Sequence, residues 1–561
     1  MGGGFQGAQA DDLSALPIGS FDGGLNTVTN PLRLKSNESP FLQNVSLTET
    51  GRLLGRDGST TLAGAPGQND AIISFWNSAG NRCQVTWSNG DIYDTTNGAY
   101  NLLTAAVYTS SPTTLIGKFV LKGILYWSDG IIYRYYDPTT ATEAAVIQTT
   151  GAGLLNTIGF TCAIVYTGFP VVGNTTANGT YEPDNYRWPD LLDPTSWPAV
   201  NAQAVGENFG GHVSALTGLG VADAGVAPYS AILALKSIEG CFLYTGALGQ
   251  QTEAIIPVPG GILDPETLQL IERSGRGADD GTVRTYATWL SNDRQLWWAD
   301  GINSGRYSDN IRNVLQDAIV TALTANPDQR FTSVNATLAR QYLLDMGNGQ
   351  QYVFQYDLGV WTFYQGLPSG FWAAGYDSNG LPAVYCAART LTTLVQVLIP
   401  GQALDDTNII QMYYFSPFLH MNSEDVWKRI HWLYLTFVTD VGQVESAVIS
   451  GFGQDTPGAT YNFVPDSTVP NLFVLDESLL DGPDVLAGIN QNSNLRTFEQ
   501  YVQTMVPIPA GHYDDPDIQE MCQGKNFQVQ LAQTQKSGHF EILSYQLDYE
   551  PRGRKSGALP E

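Results

Sequence analysis

Basic side chains are scarce. The chain carries 27 Lys and Arg against 54 Asp and Glu, a formal charge of −27, and no Lys/Arg run that would make a local basic patch. Nucleic-acid binding by phosphate neutralisation needs clustered cations, so this composition excludes it in its ordinary form. Cysteine is equally sparse. Cys83, Cys162, Cys241, Cys386 and Cys522 are odd in number, far apart and without a C-x-x-C or a nearby histidine. Neither a disulfide framework nor a zinc site follows, and buried free thiols are expected. Long apolar runs are missing as well: no stretch approaches the roughly 18 residues of a membrane helix. The start, Met1-Gly-Gly-Gly-Phe-Gln-Gly, lacks the charged and apolar regions of a signal peptide. The expectation is synthesis in a cytoplasm, no membrane span, and folding without secretion.

Charged residues as a whole make up only 14% of the chain, while glycine (59) and aromatics (11%) are plentiful. That is the composition of many short strands joined by tight turns. With 561 residues, two or more folding units are expected. Residues 1–20 read as a flexible arm and 21–66 as an N-terminal β segment.

From residue 67 a strand, turn, strand unit recurs. Trp87-Ser-Asn-Gly-Asp-Ile-Tyr and Trp127-Ser-Asp-Gly-Ile-Ile-Tyr lie forty residues apart, and Trp298-Ala-Asp-Gly-Ile302 echoes them. Asn-Gly and Asp-Gly supply the positive φ angles of two-residue hairpin turns. A forty-residue period matches one four-stranded propeller blade, with the Trp and Tyr side chains filling the wedges between blades. Unrelated hairpins of another antiparallel sheet are the bland alternative. The reading is therefore all-β: a β-propeller over 67–415 with five to eight blades, and an additional C-terminal antiparallel β-sandwich over 416–555. The sandwich is read from the alternation in Trp427–Val438, Asn526–Leu531 and Phe540–Tyr549. Two stretches break the propeller rhythm. Residues 168–200 are rich in Pro, Asn and Asp and read as an inserted loop. Residues 309–324 read as a helix capped near Ser308-Asp309, burying Ile311, Val314, Leu315, Ala318, Ile319 and Leu323.

No constellation carries chemistry. His212, His420, His431, His512 and His539 are isolated from one another, and no P-loop, Rossmann or G-x-S-x-G motif stands in a credible context. The acidic groups Asp476-Glu477, Asp481 to Asp484 and Asp514-Asp515-Pro-Asp517 lack the alternating ligand spacing of a calcium loop. Propeller glycosidases need converging carboxylates. No pair is identifiable here, and the Ser-x-Asp-x-Gly-x-x-Trp turn of that class is absent. The expectation is no enzyme, with no catalytic residues, no cofactor and no metal.

Phe21-Asp-Gly-Gly-Leu-Asn, Pro31-Leu-Arg-Leu, Asn44-Val and Gly51-Arg-Leu-Leu-Gly-Arg-Asp-Gly58 resemble the start of podovirus tail nozzle and tail hub proteins. Asp193-Pro-Thr-Ser-Trp197, the segment Ser237–Gly246 and Tyr549-Glu-Pro-Arg-Gly-Arg554 extend the resemblance over about 21–555. It implies a structural virion protein of the phage tail: a hexamer docked to the portal-adaptor ring and to tail fibres or spikes, through which genomic DNA passes during ejection without tight binding. A receptor- or glycan-binding tail protein using the propeller face is the alternative.

Overall fold

The computed structural model describes residues 14–48, 50–190, 193–221, 229–274, 283–421, 427–439, 444–451, 460–463, 500–507, 523–524, 526–533 and 540–552. The chain forms two compact units. One is the continuous span Ser59–Pro400, and the other combines the residues up to Gly58 with those from Gly401 onward.

The Ser59–Pro400 unit is a β-propeller. Among the described residues it has seven blades of four antiparallel strands. Blades 1 to 6 run in chain order over 69–104, 117–145, 158–204, 213–256, 269–306 and 332–365. Blade 7 takes three strands from 370–399 and its outermost strand from Gly58–Gly64. The ring is thus closed by pairing the start of the unit with its end, which removes a sheet edge. Closure is sealed by a shared core in which Ile72 of blade 1 packs with Phe371, Tyr385 and Leu394 of blade 7.

Trp87 and Trp127 occupy the second strands of blades 1 and 2, fully buried in one common core. The third echo belongs elsewhere. Trp298 is on the third strand of blade 5, opposite Thr288, and the completely buried tryptophan of the second strand is Trp289, whose partner is Trp297.

Residues 168–200 are not one long loop. Phe169–Ala177 and Thr180–Arg187 are the second and third strands of blade 3, and only the stretch beyond them connects to Ala202–Ala204. The turn signals are real but local. Asn178 and Gly179 take φ of +48° and +79°, the geometry of a two-residue hairpin turn. Pro183 falls where the register steps from Glu182 to Tyr186, a bulge in which its missing N–H costs no ladder bond.

The helix is α1 (Arg312–Ala325), preceded by a 3₁₀ turn over Asp309–Ile311. Ile311, Leu315 and Ile319 are buried, but Val314 faces outward. Ser308 does not cap it. Its hydroxyl accepts from the Leu296 N–H and donates to Gln295, holding the blade 5 hairpin instead.

The second unit joins the two ends of the chain. Ser14–Ile18 and Trp427–Thr439 both pair with Phe540–Arg552, Leu53–Gly55 joins at the end of the same strand, and Gln500–Pro507 flanks Trp427–Thr439. In the second sheet Met412–Phe415 lies between Phe41–Gln43 and Asn526–Gln533, which in turn pairs with Val444–Gly451. Phe21 wedges against Tyr414 and Tyr545, one from each sheet, at centroid distances of 5.1 and 6.1 Å. The N-terminal β segment is therefore part of the sandwich rather than a separate element, and the propeller is an insertion between residues 58 and 401. The strand Met412–Phe415, expected in the propeller, also belongs here.

Candidate functional site

The connections that lead into each blade gather on one face of the propeller, and at its centre lies a polar cleft of about 310 Å³ lined by Gln329, Arg330, Asp345, Ser369, Arg389 and neighbouring backbone. Arg330 precedes blade 6. Its guanidinium grips Asp264, which precedes blade 5, through Nε and Nη2 at 2.6 and 2.9 Å, and Nη1 donates to the Thr114 carbonyl before blade 2. Blades 2 and 5 stand on opposite sides of a ring of seven, so this one side chain spans the mouth of the axial channel. Lys118 of blade 2 and Glu266 before blade 5 repeat the crossing at 3.3 Å. Arg389 completes the cluster by donating to the Pro112 carbonyl, and both arginines stack on the Phe371 ring.

Asp345 in the cleft and Asp264 and Asp70 near it are engaged by protein donors. Asp264 also accepts the Phe331 and Glu266 N–H groups. Asp345 accepts from Gly347, Ser369, Gly370, Trp372 and Gln351. Burial nevertheless pushes its carboxyl above the usual carboxylate range. Asp70 accepts from Tyr108 at 2.8 Å, and burial raises it too, against the pull of Ser110, Tyr108 and the two arginines. Asp264 and Asp345, each accepting several protein donors, tie these connections together.

The other sequence candidates lie apart. His212 is half-buried in blade 4 between the Ser214 and Ser237 hydroxyls, at 3.0 and 3.1 Å, and burial lowers its pKa. Its neighbour Lys236 is buried among the carbonyls of Val205, Gly206 and Phe209 and pairs with Asp184. His420 donates to the Leu32 carbonyl in the sandwich. The side chain of His431, together with His512, His539, Cys522 and the acidic groups around 476–484 and 514–517, lies outside the described residues. Cys83, Cys162, Cys241 and Cys386 are buried free thiols in the propeller, and burial pushes Cys83 up to about 11 and Cys162 to about 12. Among the described residues no three His, Cys, Asp or Glu side chains form a cation site, and no helix is long and apolar enough to cross a membrane.

Sequence reasoning missed the Arg330–Asp264 pair. Its two halves are 66 residues apart and neither sits in a motif; the only local hint is a lone arginine before a strand.

The fold is that of a seven-bladed β-propeller inserted in an antiparallel sandwich. No protein-family model and no curated protein sequence matches the chain. Solved structures similar to it include a chain of the mitotic checkpoint complex, at 8% identity and a TM-score of 0.37, covering 61% of this chain and 91% of the other. The β-propeller domain of Cps50 (Swd1) from Myceliophteria thermophila aligns at 10% identity and a TM-score of 0.38, covering 61% and 99%.

Proposed function

We propose that this protein is a structural, non-enzymatic subunit of the tail nozzle ring of a short-tailed bacteriophage, forming the distal DNA conduit and docking to the adaptor and to tail fibres or spikes. The observation that carries this reading is the sequence resemblance over about 21–555. Its motif residues have identifiable physical jobs. Phe21 fills the sandwich core, and Asn44 holds Arg56, which pairs with Asp405 at 3.0 Å. In the propeller, Asp193 accepts from Thr195, and the buried Trp197 donates to the Pro194 carbonyl at 2.8 Å. Such residues specify a scaffold.

Charge supports the same reading. Six copies carry 6 × −27 = −162, a field that repels DNA from the wall of a conduit wherever the acids line it. The engagement of Asp264 and Asp345 by several protein donors each supports a non-enzymatic role. Electron microscopy of the virion or of the purified assembly tests the proposal. Six-fold rings at the tail tip that bind an antibody against this chain are the expected result. A trimeric spike would instead favour the receptor-binding alternative.

A further inference from the structure

On the propeller face away from the Arg330 cleft, two aromatic side chains stand partly in solvent. Trp76 ends the innermost strand of blade 1 and Tyr376 ends that of blade 7. They are 43% and 38% exposed, with ring centroids 5.0 Å apart and planes tilted by 52°. A large exposed aromatic keeps the free-energy cost of apolar hydration unless something covers it, and two in contact make a defined patch rather than the scattered surface residue that needs no explanation.

The pair is built. Each ring is followed by the same kind of turn, Asn77-Ser-Ala-Gly-Asn81 and Asp377-Ser-Asn-Gly-Leu381. Asn77 Oδ1 accepts the N–H groups of Ala79 and Asn81, and Asp377 Oδ1 accepts those of Asn379 and Leu381. Gly80 and Gly380 take φ of +78° and +79°. The two strands approach so closely that a Cβ on Gly375 would lie 2.7 Å from the Ser74 Cβ, so glycine beside Tyr376 is what brings the rings together. Arg82 locks the arrangement from blade 1. It donates to the Tyr376 carbonyl, to the Tyr385 hydroxyl at 2.8 Å and to the Thr96 carbonyl.

The surroundings select the ligand. Exposed Ser78, Asn81, Ser378 and Asn379 put hydroxyls and amides, which both donate and accept, within a turn of the rings; Leu381 is the one large apolar neighbour in these turns. An apolar peptide segment would leave those polar groups uncovered, and an anionic ligand would meet the Asp377 carboxylate of one turn while the Arg82 guanidinium is already engaged by three protein oxygens. A pyranose offers C–H faces to an aromatic ring and hydroxyls at its rim. We propose that the Trp76–Tyr376 pair is a binding platform for a neutral saccharide chain. The site is a recognition surface, with no bond made or broken, and it does not depend on the ring reading.

The test uses the purified full chain against a panel of neutral gluco-, galacto-, manno- and rhamno-oligosaccharides, read by saturation-transfer NMR and titration calorimetry. At least one member should bind. Trp76→Ala and Tyr376→Ala should each weaken it about tenfold or more, while Trp76→Phe keeps most of the affinity. Thermal melts of the variants should match the parent, since both side chains are partly solvated. No binding by any member at millimolar concentration overturns the proposal, as does binding that both alanine variants leave unchanged. Self-association of the parent that Trp76→Ala abolishes also overturns it, by making the pair a contact between copies.

Discussion

Trp87 and Trp127, forty residues apart in sequence, meet edge to face on neighbouring blades with ring centroids 5.8 Å apart. Both are fully buried, and neither indole N–H has an acceptor among the described residues. Their contribution is therefore volume and aromatic contact rather than hydrogen bonding. Replacing either with Ala should cost about 3–5 kcal/mol. Because the two rings touch, the double variant should lose less than the sum of the singles. Urea denaturation of the four proteins measures both quantities, and a cost under about 1 kcal/mol for either single variant would refute the wedge role.

Arg330 and Asp264 are nearly inaccessible to solvent; their bidentate contact joins the entries of neighbouring blades 5 and 6, while the same guanidinium reaches across to the Thr114 carbonyl before blade 2. Removing the cation leaves a buried carboxylate uncompensated, so Arg330→Ala should destabilise by about 3–5 kcal/mol. Arg330→Lys should not restore stability, because an ammonium cannot supply the planar fork that reaches Asp264 and Thr114 together. Denaturant midpoints decide it: a lysine variant as stable as the parent would show that charge alone suffices.

Asp70 carries a pH signature. Its carboxyl lies above its ordinary value of 3.8, mainly because burial penalises the charged form. A raised carboxyl binds its proton more tightly in the folded state than in the unfolded one. Its stabilising contribution is thus complete below 3.8 and is lost as pH rises through the folded value. Asp70→Asn keeps an acceptor for the Tyr108 hydroxyl but has no charge to desolvate. The stability difference between parent and variant should shift in the variant's favour as pH climbs from about 4 to 7. Urea midpoints over a pH series give the curve, and a shift in the opposite direction would rule out desolvation as the dominant cause.

The propeller was legible because its signal is local and repeated. Trp87-Ser-Asn-Gly and Trp127-Ser-Asp-Gly each encode a strand, a turn and a wedge residue within a few positions. The same locality misled at Trp298, where an Ala-Asp-Gly string follows a third strand rather than a second. It misled again over 168–200, where Asn178-Gly179 and Pro183 signal a turn and a bulge inside a blade. Pairings between distant segments left no local trace. Nothing near Ser14 announces its partner Tyr549, and nothing near Gly58–Gly64 announces that it closes blade 7. The channel mouth was invisible for the same reason, since the donors that tie Asp264 to the next blade come from the distant Arg330 and Phe331. The Trp76 and Tyr376 turns were readable individually, but their adjacency follows only once the ring closes.

The conduit reading makes a combined claim about DNA and assembly. With 27 basic against 54 acidic side chains, the free chain cannot supply the cationic contacts whose counterion release drives duplex binding, so no affinity for duplex DNA should be measurable even at low salt. Ring assembly should respond to salt in the opposite sense from a DNA-binding protein. Bringing six chains of −27 together costs repulsion, which salt screens over about 8–10 Å near physiological ionic strength. Hexamers should therefore be favoured by moderate salt, or by an adaptor ring that binds the assembled form and shifts the equilibrium by mass action. Sedimentation across a salt series, with and without duplex DNA and adaptor, checks both parts. Monomers at low salt that convert to six-fold species as salt or adaptor is added are the expected outcome. Tight, salt-sensitive DNA binding by the monomer would sink the conduit reading, because a wall that holds DNA cannot let it pass.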